Sequence, residues 1–278
     1  MISRDYILNQ VKIALNEDLG QIGDITSALI DSSKKAEAVL KNNQDMILCG
    51  VDWVNLVFLQ VDPNIEVQWF AKDGDYKCKN STIFKVTGNA RSILIAERTA
   101  LNFLQMLSGI ATQTKIYVDK IKSSKAVVLD TRKTLPGLRL AQKYAVTVGG
   151  GYNQRFGLYD AVLIKENHII SSESLGELIR LALKVYKDVT IQVEVETYEQ
   201  LFDVVNLGVK KVLLDNMSLD DIKKCVRLCK GSVEIEVSGN VDLNNIVEYA
   251  DTGIDRISIG GLTKNLKAID LSLRFNLK

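Results

Sequence analysis

The sequence predicts an α/β protein in which an N-terminal α+β region precedes a parallel sheet that is closed, or nearly closed, into a barrel. From about residue 125, short apolar runs end in polar or glycine residues and alternate with helical segments, which is typical of βα units. Six such runs follow one another and are nearly continuous in apolar character, which favours parallel strands buried on both faces. A doubly wound open sheet is the second interpretation of the same pattern.

The first hundred residues have a mixed pattern. Residues 5–18 are predicted to be helical, and "VDWVNLVFLQVD" predicts a buried helix. The segment "AEAVLKNNQDMILCG" alternates like two paired strands with a turn at Asn42 and Asn43. A long helical stretch, "LIAERTALNFLQMLSGIATQTKIYVDKIKS", ends this region, and Gly109 predicts a break within it.

The predicted barrel collects charged residues at one rim. The strands are "AVVLD", "DAVLIK", "TIQVEVE", "KKVLLDN", "VEIEVSGN" and "DRISIGG". Because parallel strands end at the same rim, the residues that follow them should lie together. These residues are Asp130, Arg132, Lys133, Lys165, Glu194, Asp215, Ser238, Gly239 and Gly260. The earlier strands supply cations, the middle strands supply carboxylates, and the last two end in small residues.

Each group suits a different part of an anionic substrate. Arginine and lysine bind carboxylates, and arginine does so with two parallel hydrogen bonds. Glu194 and Asp215 could hold Mg²⁺ through water, because Mg²⁺ prefers oxygen ligands and keeps much of its hydration. Glycine turns that lead into helices expose backbone N–H groups, which suit phosphate. The rim therefore predicts an anionic small molecule bound beside a metal–phosphate substrate.

The composition is that of a soluble globular protein. A net charge of +1 argues against a broad basic surface for nucleic acid. No apolar run is long enough for a membrane span, and the first residues lack the apolar core of a signal peptide. The four cysteines form no CxxC pair. These features predict a cytoplasmic protein with reduced thiols and no membrane or nucleic-acid partner.

Eight short motifs together resemble the nicotinate-nucleotide pyrophosphorylase family, also called quinolinate phosphoribosyltransferase. They follow the family's order from about residue 14 to 274: "EDLGQIGDITS", "AERTALNFLQMLSGIAT", "LDTRKTLPGLR", "KYAVTVGGGYNQRFGLYDAVLIKENHI", "VEVE", "LLDNMS", "EVSGN" and "TGIDRISIGGLTK". The resemblance implies an N-terminal α/β sandwich domain at 1–108 and an irregular, incomplete α/β barrel at 109–269. It also implies that the C-terminal tail, 270–278, returns to the first domain.

The resemblance further implies an activity. Members of this family convert quinolinate and phosphoribosyl pyrophosphate into nicotinate mononucleotide, CO₂ and pyrophosphate with Mg²⁺, in de novo NAD biosynthesis. Carried over by motif, the residues implied to line the quinolinate pocket are Arg132, Lys133, Arg155 and Lys165. Those implied to face the ribose and the metal are Glu194 and Asp215, which with Lys133 and Lys165 form the implied catalytic set. Those implied to hold phosphate are Ser238, Gly239, Asn240, Gly260, Gly261 and Lys264.

The resemblance also implies a homodimer, or a higher oligomer built from it, in which Arg98 reaches the partner subunit's site. The chain departs from the family at one position in this pocket. The family usually has "GGGxNHR" where this sequence has "GGGYNQR", so Gln154 replaces a histidine that borders the quinolinate pocket. His168, the one histidine of the chain, follows a predicted strand end, where it is either a general base or a residue that orients the loop.

Three alternatives remain at this stage. The molybdenum-transport-associated pyrophosphorylase-like proteins share much of the pattern, but that family lacks the lysine that stands here as Lys165. A Schiff-base lyase would use Lys165 as its nucleophile, and would leave the glycine turns and paired acids without a role. A non-catalytic sensor would bind phosphoribosyl pyrophosphate without turnover.

Overall fold

The structure is a computed structural model that describes residues 2–171 and 174–277. It divides into two compact units. The first comprises Met1–Gln113, Leu140–Gly149 and Leu266–Lys278, and the second comprises Thr114–Arg139 and Gly150–Asn265. These units differ from the predicted domains, 1–108 and 109–269, chiefly because residues 140–149 belong to the first unit.

The secondary structure alternates between strands and helices along the chain. Up to residue 120 the elements are α1 (Arg4–Leu19), a 3₁₀ turn (Ser27–Leu29), β1 (Lys35–Asn42), β2 (Met46–Ile47), α2 (Val51–Val61), β3 (Glu66–Trp69), β4 (Tyr76–Lys77), β5 (Thr82–Asn89) and α3 (Ala90–Lys120). The later elements are β6 (Val127–Leu129), α4 (Arg139–Val148), β7 (Ala161–Ile164), α5 (Glu166–Ile170), α6 (Leu175–Val185), β8 (Thr190–Val195), α7 (Tyr198–Asn206), β9 (Lys211–Asp215), α8 (Leu219–Cys229), β10 (Glu234–Ser238), α9 (Ile246–Ala250), β11 (Arg256–Ser258), α10 (Gly261–Lys264) and β12 (Leu271–Leu277).

The first unit contains an antiparallel sheet with the strand order β12-β1-β5-β3. Alternate residues of β1 are buried, so one face of this strand lies in the core. On that side the ring of Phe84 in β5 meets the ring of Phe58 in α2 edge-on, with 6.2 Å between centroids. Strand β12 pairs with β1 along its length, so residues 271–277 lie in the N-terminal sheet.

The predicted pairing of β1 with the strand after Asn43 is wrong. Strand β2 pairs with β4, while β1 pairs with β5 and β12. The reason lies at Asn42, whose buried side-chain amide donates to the carbonyl oxygens of Gln44, Lys77 and Cys78 at 2.9, 3.2 and 2.9 Å. These bonds tie the end of β1 to the turn after β4 and leave no hairpin between β1 and β2.

The predicted helix break at Gly109 is also wrong, because α3 continues through this residue without interruption. A Cβ atom at Gly109 would lie 2.2 Å from the carbonyl oxygen of Lys267. The glycine therefore permits the close approach of another backbone segment and is not a turn residue.

The second unit contains a six-stranded parallel sheet with the order β6-β11-β10-β9-β8-β7. Among the described residues, no strand pairing joins β6 to β7. Residue Tyr152 forms a bridge at the free edge of β6, where its N–H donates to the Val128 carbonyl at 2.8 Å and its carbonyl accepts from Asp130 at 3.2 Å. This arrangement confirms the predicted α/β class and the incomplete barrel. None of the helices within residues 2–171 and 174–277 is both long and apolar enough to cross a bilayer.

Candidate active site

The carboxyl ends of β7, β8, β9 and β10 bring several predicted site residues to one rim of the second unit. In the β9–β10 pair Asp215 lies opposite Ser238. In the β8–β9 pair Glu194 lies opposite Leu213. Lys165 follows Ile164, which pairs with Val193. The ends of β7, β8, β9 and β10 thus carry, in sheet order, a cation, two carboxylates and a small residue.

Lys165 and Glu194 form an ion pair between two neighbouring strand ends. The Glu194 side chain is 12% exposed, whereas that of Lys165 is 44% exposed. His168 contacts the same lysine from the first turn of α5, where its Nδ1 accepts a hydrogen bond of 3.0 Å from the Lys165 backbone N–H. His168 thus orients the loop that follows β7, which is one of the two roles predicted for it.

Arg132 and Arg155 form the cationic part of the site. Burial lowers the pKa of the Arg155 guanidinium, and the neighbouring Arg132 lowers it further, while Asp160 and Glu194 oppose the shift. An arginine in such a place still remains charged at neutral pH. The Nε atoms of both arginines are buried and have no hydrogen-bond partner in the part of the chain that the structure describes. Two adjacent cations with unused buried donors form a site for an anion.

Arg139 and Asp130 hold the loops that carry these arginines. Arg139 donates from Nε to the Thr134 hydroxyl at 3.1 Å and from a terminal nitrogen to the Phe156 carbonyl at 3.0 Å. The carboxylate of Asp130 is fully buried and accepts from the backbone N–H of Gln154 at 3.0 Å. Asp130 lies at the predicted rim, but its place is beneath the loop, where it acts as an anchor.

Lys133 lies against the glycine turn that follows β11. A Cβ atom at Gly260 would lie 2.8 Å from Cδ of Lys133, so the glycine leaves room for the lysine stem. The hydroxyl of buried Thr263 donates to the Lys133 carbonyl at 2.7 Å. Gly261 begins α10, and Lys264 ends it with an exposed side chain.

The turns after β9 and β10 are connected by Asn216. Its side-chain amide donates to Asp215 at 3.0 Å, and its side-chain oxygen accepts from Asn240 at 3.3 Å. Gly239 has φ of +96°, and a Cβ atom there would lie 2.3 Å from the same Asn216 oxygen. Only glycine therefore fits this turn, which leads from Ser238 at the end of β10.

Two predicted residues have different surroundings. Gln154 points its amide at the barrel interior and donates to Gln192 Oε1 at 3.4 Å. Arg98 is exposed on α3 in the first unit.

Family models match both parts of the chain. The model of the quinolinate phosphoribosyl transferase C-terminal domain matches residues 110–274, and the model of the N-terminal domain matches residues 24–108. This protein belongs to the quinolinate phosphoribosyltransferase family.

Individual relatives agree with this assignment. The structure of a nicotinate-nucleotide pyrophosphorylase from Francisella tularensis is similar with a TM-score of 0.96 and 46% identity, covering 99% of this chain and 98% of that one. The chloroplastic nicotinate-nucleotide pyrophosphorylase [carboxylating] of Arabidopsis thaliana is 39% identical over 96% of this chain and 82% of its own length. A probable nicotinate-nucleotide pyrophosphorylase [carboxylating] of Bacillus subtilis is 37% identical over 96% of this chain and 94% of its own.

Glu194 and Asp215 are the two carboxylates at the rim that could hold a cation. Within residues 2–171 and 174–277 there is no cluster of three or more His, Cys, Asp or Glu side chains that could hold a metal ion. Glu194 is paired with Lys165, and Asp215 accepts from Asn216. Two oxygen donors of this kind fit Mg²⁺, which keeps several waters and takes one or two carboxylates in phosphate sites.

Sequence reasoning missed two residues of the interior. Gln192 and Glu236 are buried polar residues that lie two positions before Glu194 and Ser238. Their signal in the sequence is a polar residue at the inward position of an otherwise apolar strand, in "TIQVEVE" and "VEIEVSGN".

Proposed function

We infer that this protein is a quinolinate phosphoribosyltransferase. It transfers the phosphoribosyl group of phosphoribosyl pyrophosphate to the ring nitrogen of quinolinate and yields nicotinate mononucleotide, CO₂ and pyrophosphate in NAD biosynthesis. The observation that carries this function is the pair Arg132 and Arg155, whose buried Nε donors are unused. Family membership supplies the identity of the anion.

Quinolinate has two adjacent carboxylates on one pyridine ring, and the cationic group suits this pattern. Arg132 and Arg155 are proposed to bind the carboxylates, with Lys133 and Lys165 beside them. Two like charges held close together destabilise the empty site, and a dianion relieves that repulsion. Because Lys165 is already in an ion pair with Glu194, the Schiff-base alternative is not favoured.

Glu194 and Asp215 are proposed to act at the ribose. As pyrophosphate leaves, the ribosyl centre gains positive charge, and fixed carboxylates stabilise such charge most effectively. The same two residues are proposed to hold Mg²⁺ through water, and the bound cation would neutralise charge on the departing pyrophosphate. After the ring nitrogen attacks, it is quaternary, so the adjacent 2-carboxylate leaves more easily as CO₂. The electron pair that remains on ring carbon 2 is stabilised by the positive nitrogen and then takes a proton from water.

The phosphate groups are proposed to bind at the turns after β10 and β11. Gly239 and Asn240 form the first turn with Ser238, and Gly260 and Gly261 form the second. Positive φ angles at Gly239 and Asn240, +96° and 50°, bring backbone groups into the turn in a way that suits anions. Lys264, exposed at the end of α10, is proposed to add charge nearby.

We also propose a cytoplasmic homodimer in which Arg98 completes the partner subunit's site. The exposed side chain of Arg98 on α3 supports this arrangement. Mixing Arg98→Ala and Glu194→Ala proteins should then restore activity, because one site of each mixed dimer has both wild-type residues. No restoration after proven subunit exchange would contradict the shared site.

The function is tested by incubating the protein with quinolinate, phosphoribosyl pyrophosphate and Mg²⁺ and measuring nicotinate mononucleotide and CO₂. Both products should form in equal amounts, and omission of any one component should stop the reaction. Tight binding of phosphoribosyl pyrophosphate without product would support the sensor alternative instead.

A further inference from the structure

A layer of buried polar residues lies directly beneath the rim of the second unit. Gln192 and Glu236 are 8% and 2% exposed. Because side chains alternate along a strand, Gln192 points to the same face as Glu194, and Glu236 to the same face as Ser238. Strand β9 lies between their two strands, so these side chains meet across the inside of the sheet.

The layer forms a hydrogen-bonded chain that ends at the substrate loop. Gln192 donates from Nε2 to Oε2 of Glu236 at 2.9 Å, and Gln154 donates from Nε2 to Oε1 of Gln192 at 3.4 Å. The Glu236 carboxyl group accepts a hydrogen bond from Gln192. Gln192 must therefore direct its NH₂ group to Glu236 and its oxygen to Gln154. Glu236 therefore sets the orientation of both amides. Gln154 is also fixed through its backbone, which donates to Asp130.

Glu236 is poorly suited to a purely structural role. Burial raises the pKa of its carboxyl group, and the Gln192 amide offsets part of the shift. The Ser258 hydroxyl also lowers the pKa of Glu236. The same hydroxyl lies 3.5 Å from the Val237 carbonyl oxygen, to which it can donate. Oε1 of Glu236 is buried and has no hydrogen-bond partner among the residues the structure describes. Apolar side chains of similar volume in place of both Glu236 and Gln192 would be at least as stable.

The cavity around this carboxyl group includes two residues of the loop before β7, Gln154 and Arg155. Glu236, Gln192, Gln154 and Arg155 all line one cavity of about 240 Å³. Arg155 contributes one of the two unused arginine donors at the anion site. The buried acid thus shares a cavity with Arg155, whereas Arg132, Lys133 and Lys165 do not line it.

We propose that Glu236 is a positioning residue for quinolinate, which acts through Gln192 to fix the amide of Gln154 at the substrate pocket. The inference rests on the proposed function. It assigns a specificity role to a residue that does not itself touch the rim.

Steady-state kinetics of matched variants test the hydrogen bonds that connect Glu236, Gln192 and Gln154. Glu236→Met and Gln192→Met should each raise KM for quinolinate by about tenfold while KM for phosphoribosyl pyrophosphate stays unchanged, because one hydrogen-bonded chain is disrupted. The double variant should also show about tenfold, since residues that act in one chain are not additive. Glu236→Gln should stay within about twofold of wild type, because its amide oxygen can still accept from Gln192. Independent effects that multiply in the double variant would overturn the proposal.

Thermal unfolding separates positioning from stability. Glu236→Met leaves the buried Gln192 amide without its acceptor, so Tm should fall. The double variant removes both partners, so Tm should return to the wild-type value or exceed it, while KM for quinolinate should remain high. If KM recovers together with Tm, Glu236 has only a structural role.

Control measurements distinguish failure of the proposed function from failure of the positioning role of Glu236. Glu248→Gln, an exposed change on α9, should alter neither Tm nor either KM. If the wild-type protein forms no nicotinate mononucleotide, the proposed function has failed. If wild type is active and the quinolinate KM of the Glu236 and Gln192 variants is unchanged, the positioning role alone has failed.

Discussion

Lys165 and Glu194 are joined by an ion pair between the ends of neighbouring strands β7 and β8. Their roles are therefore coupled: a residue proposed to meet quinolinate holds a residue proposed to face the ribose. Glu194→Ala should lower kcat by at least about 100-fold, because it removes fixed negative charge at the reacting centre. Asp215→Ala should have an effect of similar size. Near-normal turnover of both variants would contradict the assignment, and Lys35→Ala, an exposed change in the other unit, serves as the control.

His168 offers a test of loop positioning after β7. Its Nδ1 accepts from the Lys165 backbone N–H at 3.0 Å, so His168→Ala should loosen Lys165 and lower kcat/KM for quinolinate by about tenfold. His168→Asn retains a side-chain acceptor and should keep most of the activity. A loss in the asparagine variant as large as in the alanine variant would instead support a general-base role.

The strand pattern predicted the second unit well, and the reason is physical. Six buried parallel strands leave nearly continuous apolar runs, and the polar residue after each run marks the rim. The pairing of β2 could not be predicted in the same way, because it depends on the contacts of Asn42 with a turn more than thirty residues away. Gly109 was misinterpreted since the sequence does not show the backbone that packs on it.

Some contacts in the site could not be predicted from the sequence. The motifs indicated which cations and carboxylates follow the strands, but not that Lys165 pairs with Glu194. The chain from Glu236 through Gln192 to Gln154 depends on three distant segments meeting inside one sheet. A polar residue within an apolar strand indicates a specific role, but the sequence does not show which residue it contacts.

The cationic group predicts strong discrimination between pyridine acids. Nicotinate lacks the 2-carboxylate, so it would leave buried arginine donors unpaired, and its kcat/KM should be at least about 1,000-fold below that of quinolinate. Lys133→Ala and Lys165→Ala should each cost far more activity than Lys35→Ala. Equal use of nicotinate and quinolinate would contradict the assigned pocket.

Tyr144 and Asp73 provide a stability test within the first unit. The Tyr144 hydroxyl donates to the Asp73 carboxylate at 2.8 Å, and the backbone N–H groups of Gly50 and Val51 donate to the same side chain. Burial raises the pKa of Asp73, and these hydrogen bonds oppose the rise. Tyr144→Phe should therefore destabilise the protein by about 1.5–3 kcal/mol at neutral pH in denaturant unfolding, because a half-buried carboxylate loses a donor.

The pH dependence of that effect has a definite sign. A carboxyl group whose pKa is raised by folding loses its contribution to stability as pH rises through the folded-state pKa. Because Tyr144→Phe raises the pKa of Asp73 further, its penalty should be largest at neutral pH and shrink in acid. Tyr76→Phe is the matched control, since the Tyr76 hydroxyl donates to exposed Asp45 at 2.6 Å and its loss should leave stability nearly unchanged. A pH-independent penalty for Tyr144→Phe would show that lost packing is responsible.

Gln154 provides the last test, because it stands where the family usually has histidine. A histidine there can be a cation, a proton donor or a neutral hydrogen bonder, and glutamine can fill only the last role. The structure gives Gln154 the geometry of a positioned donor, with its backbone fixed on Asp130 and its amide directed to Gln192. We therefore expect Gln154→His to leave kcat and its pH profile nearly unchanged. If the variant instead gains turnover by orders of magnitude, with a new ionisation near pH about 6.5, then a titrating group is needed at this position. That outcome would mean that the native chain works without a titrating group that raises its turnover.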